Sequence, residues 1–208
     1  MQRWPRRTIL VSLAGSAACV LAGRAGVRAQ SGTPETRAAN ATPGIGKLLR
    51  REVVLSLAEV QEVLPEMASE TATGANATSV GSPEGTRAVT FSTADGKQHV
   101  VLSVDHYERA DDAASTFQEA VEMSRDVPGV EGEEVSDLGD GAFIGVVTQG
   151  DETHVGGGAV YGDLIVNATL QNYEGSDANK AIVTDLIRRL AAHAEHALQS
   201  SATPAAAG

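Results

Sequence analysis

The residue types that could do chemistry are few and scattered. Asp105 and His106 are adjacent, and an Asp–His pair can act as acid and base, but neither Gly-x-Ser-x-Gly, a phosphate loop nor His-Glu-x-x-His accompanies them. His193 and His196 lie one helical turn apart. Together they supply half of a zinc site with no third ligand in register. Glu131, Glu133, Glu134, Asp137 and Asp140 form an acidic stretch with Gly139 and Gly141. Calcium wants six to eight oxygens, and the spacing is not that of an EF-hand loop. Asp137, Asp140, His193 and His196 are therefore weak metal candidates, read first as a solvated loop and a surface pair. Gly156-Gly157-Gly158 is the most unusual run. Glycine weakens a strand, so three together predict a bulge or a close approach, either by a helix packed on the strand or by a ligand or partner backbone. No constellation amounts to a catalytic or cofactor site, and the expected cofactor complement is none.

The elements that would position these residues can be read from periodicity. Ser56 and Glu59 have capping-box spacing, and Val60, Val63, Leu64 and Met67 follow as an apolar helical face. Residues 68–86 are small and polar and predict a long, mobile loop. Val89, Phe91 and Thr93 alternate with Thr90 and Ser92 before the turn signal Asp95-Gly96. The return strand puts Val100, Leu102 and Val104 on one face and Val101, Ser103 and Asp105 on the other. A helix is predicted over Ala110–Arg125, with Ala113, Ala114, Phe117, Ala120 and Val121 facing inward. A short strand near Glu133–Ser136 leads into three meander strands, Ala142–Thr148, Thr153–Val160 and Leu164–Gln171. A last helix spans about Ser176 to Leu198.

A shift of 66 residues lays Gly96 on Gly162, Val100 on Val166, Tyr107 on Tyr173 and Phe117 on Val183. It predicts two β-β-α units related by a pseudo-twofold. The expected fold class is α+β: a single antiparallel sheet of about five to six strands packed with three helices.

The N-terminus predicts export. Arg3, Arg6 and Arg7 precede an apolar run from Thr8 to Leu21, and small residues lead to Val27-Arg28-Ala29. That is the order of a signal sequence, with cleavage expected after Ala29. The run is shorter than the roughly 20 residues needed to span a bilayer. Arg6-Arg7-Thr8-Ile9-Leu10 resembles the twin-arginine motif, with Pro5 where that motif carries Ser or Thr. A general secretory route and lipidation at Cys19 are the alternatives. Residues 30–46 read as a flexible spacer, 47–199 as one domain and 200–208 as a disordered tail. Five of the 16 basic residues leave with the signal, so the mature chain carries 11 against 27 acidic residues, a net charge of −16. Such a surface repels phosphate backbones and anionic lipid. No nucleic-acid partner is expected, and no transmembrane segment in the mature chain.

The helix start Leu55-Ser56-Leu57-Ala58-Glu59-Val60, the step Tyr107-Glu108 into an Ala-rich helix, and Asp137-Leu138-Gly139-Asp140-Gly141-Ala142-Phe143 ahead of the meander carry a family resemblance. Over about residues 50–198 the chain resembles exported, often lipid-anchored cell-envelope domains of actinobacteria, many of them PsbP-like in fold. The resemblance implies that fold and an envelope location, but no activity. Its relatives often carry a disulfide pair, which the mature chain, without cysteine, lacks.

The expected function is a non-catalytic binding or sensor module of the cell envelope, working outside the cytoplasm. Its ligand surface is the sheet face opposite the core, bearing Thr90, Ser92, Ser103, Asp105, Asn167, Thr169 and Gln171, with Gly156, Gly157 and Gly158 beside it. A small polar ligand or a partner protein would suit it. A hydrolase using Asp105 and His106 and a passive structural envelope protein are the alternatives.

Overall fold

The computed structural model describes residues 47–74 and 81–202. The expected signal sequence, Cys19, the spacer, the middle of the 68–86 loop and the last six residues lie outside them.

The architecture is α+β. The strands are β1 (Lys47–Leu48), β2 (Met67–Gly74), β3 (Gly85–Thr93), β4 (His99–His106), β5 (Val130–Glu134), β6 (Gly141–Gln149), β7 (Glu152–Tyr161) and β8 (Leu164–Gln171). The helices are α1 (Leu57–Gln61), α2 (Ala110–Arg125) and α3 (Asp177–Ala202), with a 3-10 turn at Arg51–Val53. The sheet has eight strands in the order β1-β3-β4-β8-β7-β6-β5, and β2 shares the β3 edge with β1. It is larger than the five to six strands expected, and mixed, because β1 runs parallel to β3.

The difference arises where local signals are weakest. The 68–86 loop contains most of β2, whose residues pair antiparallel with β3 through two register shifts. Its small polar residues carry no apolar alternation, so only the β3 edge reveals the strand. The first helix stops at Gln61, yet Val60, Leu64 and Met67 are buried as its periodicity required. The capping box forms: the Ser56 hydroxyl accepts from the Glu59 amide, and the Glu59 carboxylate accepts from the Ser56 amide at 2.7 Å. The short strand begins at Val130 rather than Glu133, and α3 runs into the expected tail as far as Ala202.

One sheet face packs on α3. Val100, Leu102 and Val104 of β4, Val166, Ala168 and Leu170 of β8, and Val183, Leu186, Ile187 and Leu190 of α3 belong to one buried cluster. The opposite face carries α2 at one end, where Tyr107, Ala113, Phe117 and Val121 pack on Phe143, Val160 and Ile165.

The duplicated unit holds for the strands and fails for the helices. In the β4–β8 register Leu102 pairs with Ala168, two residues 66 apart, as a twofold normal to the sheet requires. Gly96 and Gly162 both sit in turns at positive φ, 66° and 58°. The helices then go to opposite faces. After β4 the pleat carries Tyr107 onto the α2 face. After β8, Asn172 adopts φ 63°, a left-handed conformation that Asn tolerates. The extra turn brings Tyr173 onto the α3 face, where its hydroxyl donates to Glu66 at 3.0 Å.

Candidate functional site: a buried polar row

Side chains two apart on a strand share a face. On the face away from α3, β4 places Ser103 and Asp105, and β8 places Asn167, Thr169 and Gln171. Ser103 pairs with Asn167 across the ladder, Val101 with Thr169 and His99 with Gln171. On β7, Gly156 lies beside Thr169 and Gly158 beside Asn167. The polar residues expected on one surface are thus brought together. The face is not open, however: Ser103 is 0% exposed, Asn167 and Thr169 2%, Asp105 3% and Gln171 7%. Thr90 and Ser92, further out on β3, are half-buried. Thr86 and His154 join the buried set without having been expected in it.

The glycines have separate roles. A Cβ on Gly156 would lie 2.8 Å from Thr169 Oγ1, so the Thr169 hydroxyl leans over β7 into the space that glycine leaves. Gly157 points to the α3 face, where a Cβ would meet the Phe143 carbonyl at 2.7 Å and Ile144 Cγ1 at 2.8 Å. It is a packing glycine and no part of the polar row. The crowding at Gly156 and Gly157 comes from atoms of neighbouring strands, backbone included, rather than from a helix.

Hydrogen bonding within the row is incomplete. The Thr86 hydroxyl donates to Asp105 Oδ1 at 2.6 Å. Asn167 Nδ2 donates to Ser103 Oγ at 3.2 Å, towards β4. The planar carboxamide therefore turns Oδ1 away from Ser103. That oxygen is buried and has no hydrogen-bond partner. Burial holds the His154 ring below the usual imidazole range, against the opposing pull of Glu152. Burial, with the Asp105 charge behind it, raises the Tyr107 phenol well above its ordinary value. The row is thus lined by neutral groups, with one carboxylate, Asp105, at its end.

The other candidates are dispersed. Asp105 and His106 are successive strand residues on opposite faces. The His106 ring lies 3.3 Å from Asp163 and 3.9 Å from Glu84, so the two form no acid–base pair. Asp140 accepts from the Gly162 amide at 2.8 Å and clamps a turn, while Asp137 sits 4.0 Å from Arg188. Among the described residues no group of three His, Cys, Asp or Glu side chains could hold a metal.

Of the expected surface pair, His193 is tied to other elements. Its Nδ1 is 3.1 Å from Glu59 Oε1 and its Nε2 is 2.8 Å from the Glu52 carbonyl. Burial raises the Glu59 carboxyl, but the Ser56 hydroxyl and amide and the His193 ring together hold it below its usual range. These residues border a cleft of about 650 Å³ between the 50–56 segment and the end of α3. Arg51 crosses it with its fork already used, donating to Val54 O at 2.5 Å, Leu55 O at 2.9 Å and Glu70 at 2.6 Å. The sequence signals near this cleft were the capping spacing at Ser56 and the His193–His196 pair; nothing local joins them, because Glu59 and His193 lie 134 residues apart in the chain.

The fold and this row define an α+β domain with a polar interior strip. No family model matches the chain, and no curated protein matches its sequence. Among solved structures, the extracellular domain of PknH from Mycobacterium tuberculosis matches with a TM-score of 0.44 and 10% identity, over 67% of this chain and 93% of that one. No described helix is long and apolar enough to cross a membrane.

Proposed function

We propose that the chain is an exported, non-catalytic binding module of the cell envelope, and that its ligand is a small neutral polar molecule engaging the β8 row of Asn167, Thr169 and Gln171. The observation that carries this reading is Asn167 Oδ1, buried and unpaired beside the glycine strip of β7. A buried polar atom left without a partner costs about 1–3 kcal/mol. A ligand donor would remove that cost on binding. Export rests on the basic and apolar order of the first 29 residues.

The test is heat unfolding of the full chain against a panel of neutral amides, polyols and sugars. A ligand that binds only the folded state stabilises by about 2.7 kcal/mol at a hundred times its Kd. The expected result is a raised midpoint with one class, lost in Asn167→Leu. No response across the panel, or an equal response in the variant, refutes the reading.

A further inference from the structure

Among the described residues the sheet ends on β5, and no strand pairs with its outer edge. Glu131, Gly132, Glu133 and Glu134 are exposed. For Gly132 exposure means exposed backbone. The hydrogen-bond phase shows which groups face out. Val135 N–H donates to the Ala142 carbonyl at 3.0 Å and Thr148 N–H to the Gly129 carbonyl at 3.3 Å. Residues 129, 131, 133 and 135 therefore turn towards β6, and Val130, Gly132 and Glu134 turn outward. The Val130 amide is taken by the Val127 carbonyl. The Val130 carbonyl, both Gly132 groups and the Glu134 amide remain available at the edge.

We propose that the outer edge of β5 is a strand-addition site for an extended basic segment of a partner protein, one with Lys or Arg at alternate positions. Backbone pairing supplies the attraction in this mode and side chains supply the selection. Charge decides the occupant. Glu131 and Glu133 project on the α3 side of the edge. Glu133 is shared with Lys180 at 3.4 Å, while Glu131 has no ion pair among the described residues. A second copy of this chain would set glutamates against glutamates, and like charges directly opposite are destabilising. The same edge attracts a strand whose alternate side chains are cationic. Beside Glu131 and Glu133 lies a depression of about 220 Å³ lined also by Val146, Gly175 and Lys180; Lys180 serves Glu133, which leaves Glu131 as the carboxylate for an incoming cation.

The test uses the full chain, isotope-labelled, titrated with a capped Val-Lys-Val-Lys-Val-Lys peptide and with its Val-Glu counterpart. The expected result is amide shifts concentrated at Val130, Gly132 and Glu134 with the basic peptide alone. Glu134→Pro removes an outward amide that β6 does not use and should weaken binding by about tenfold or more. Reversal at Glu131→Lys with Glu133→Lys should weaken it similarly, and decides the matter if Glu134→Pro does not fold. Undisturbed β5 amides at about 1 mM peptide overturn the proposal. So does equal binding of both peptides, or binding that survives Glu134→Pro unchanged, since that is charge attraction without strand pairing.

Discussion

Replacing Asn167 with leucine should make the protein more stable. The two side chains have nearly the same branched shape, so the exchange removes polarity without leaving a void. The structure supplies two opposing terms. Asn167 Oδ1 is buried with no partner, and relieving such an atom returns about 1–3 kcal/mol. Asn167 Nδ2 donates one neutral hydrogen bond to Ser103 Oγ at 3.2 Å, and losing it costs about 1 kcal/mol. Ser103 retains a further interaction, so it is not stranded by the change. The balance is a gain of about 1 kcal/mol, which for a domain of this size raises Tm by about 2–4 °C. Urea unfolding followed by circular dichroism measures it, with an unchanged slope confirming that the same transition is compared. A loss of about 1 kcal/mol or more with a native spectrum refutes the reasoning, because it means that an ordered water already satisfies the oxygen. A residue kept at a cost to stability is what a binding role predicts.

Gly157→Ala should destabilise by about 2–3 kcal/mol in the same urea assay, because its Cβ would meet the Phe143 backbone carbonyl, which cannot rotate away. Gly156→Ala meets only the Thr169 hydroxyl, so it should cost less, about 1–2 kcal/mol, and Thr169→Ala should restore most of that in a double-mutant cycle. Ser56→Ala breaks the capping box and should cost about 1 kcal/mol. His154 is held neutral by burial, with a folded-state pKa below its unfolded one. Its contribution is therefore complete above the unfolded value of about 6.5 and is lost as pH falls below it, by at most about 1.4 kcal/mol per pH unit for one proton. His154→Gln should flatten that part of the stability–pH curve, and an unchanged slope would show that His154 is not its source.

Local chemistry was legible without a structure. The bounds of α2, the three meander strands to within a residue or so, and the Gly96 and Gly162 turns all follow from short-range periodicity and backbone preference. So does the sorting of β4 and β8 into two faces, because the pleat alternates at every residue. The same alternation separates Asp105 from His106, and it was available from the sequence once both were placed on one strand. β1 and β2 were not legible, since their residues gain order only from the β3 edge. Nor was the environment of His193, whose partners Glu59 and Glu52 lie 134 and 141 residues away.

What the sequence by itself determined is α2, α3 and the strands β3, β4, β6, β7 and β8, and the side of each of those strands on which a residue falls. Those depend on bonds and contacts within a few residues. Only the tertiary structure decided which face each helix covers, and that the polar row is interior. The 66-residue offset makes the two halves look equivalent, and their strands are. One left-handed residue, Asn172, turns the chain after β8 so that Tyr173 and α3 go to one face while Tyr107 and α2 go to the other. Asn172 is held there by residues distant in the chain: its side-chain amide donates to the Lys97 carbonyl at 2.8 Å, 75 residues away, a partner that only the folded sheet supplies.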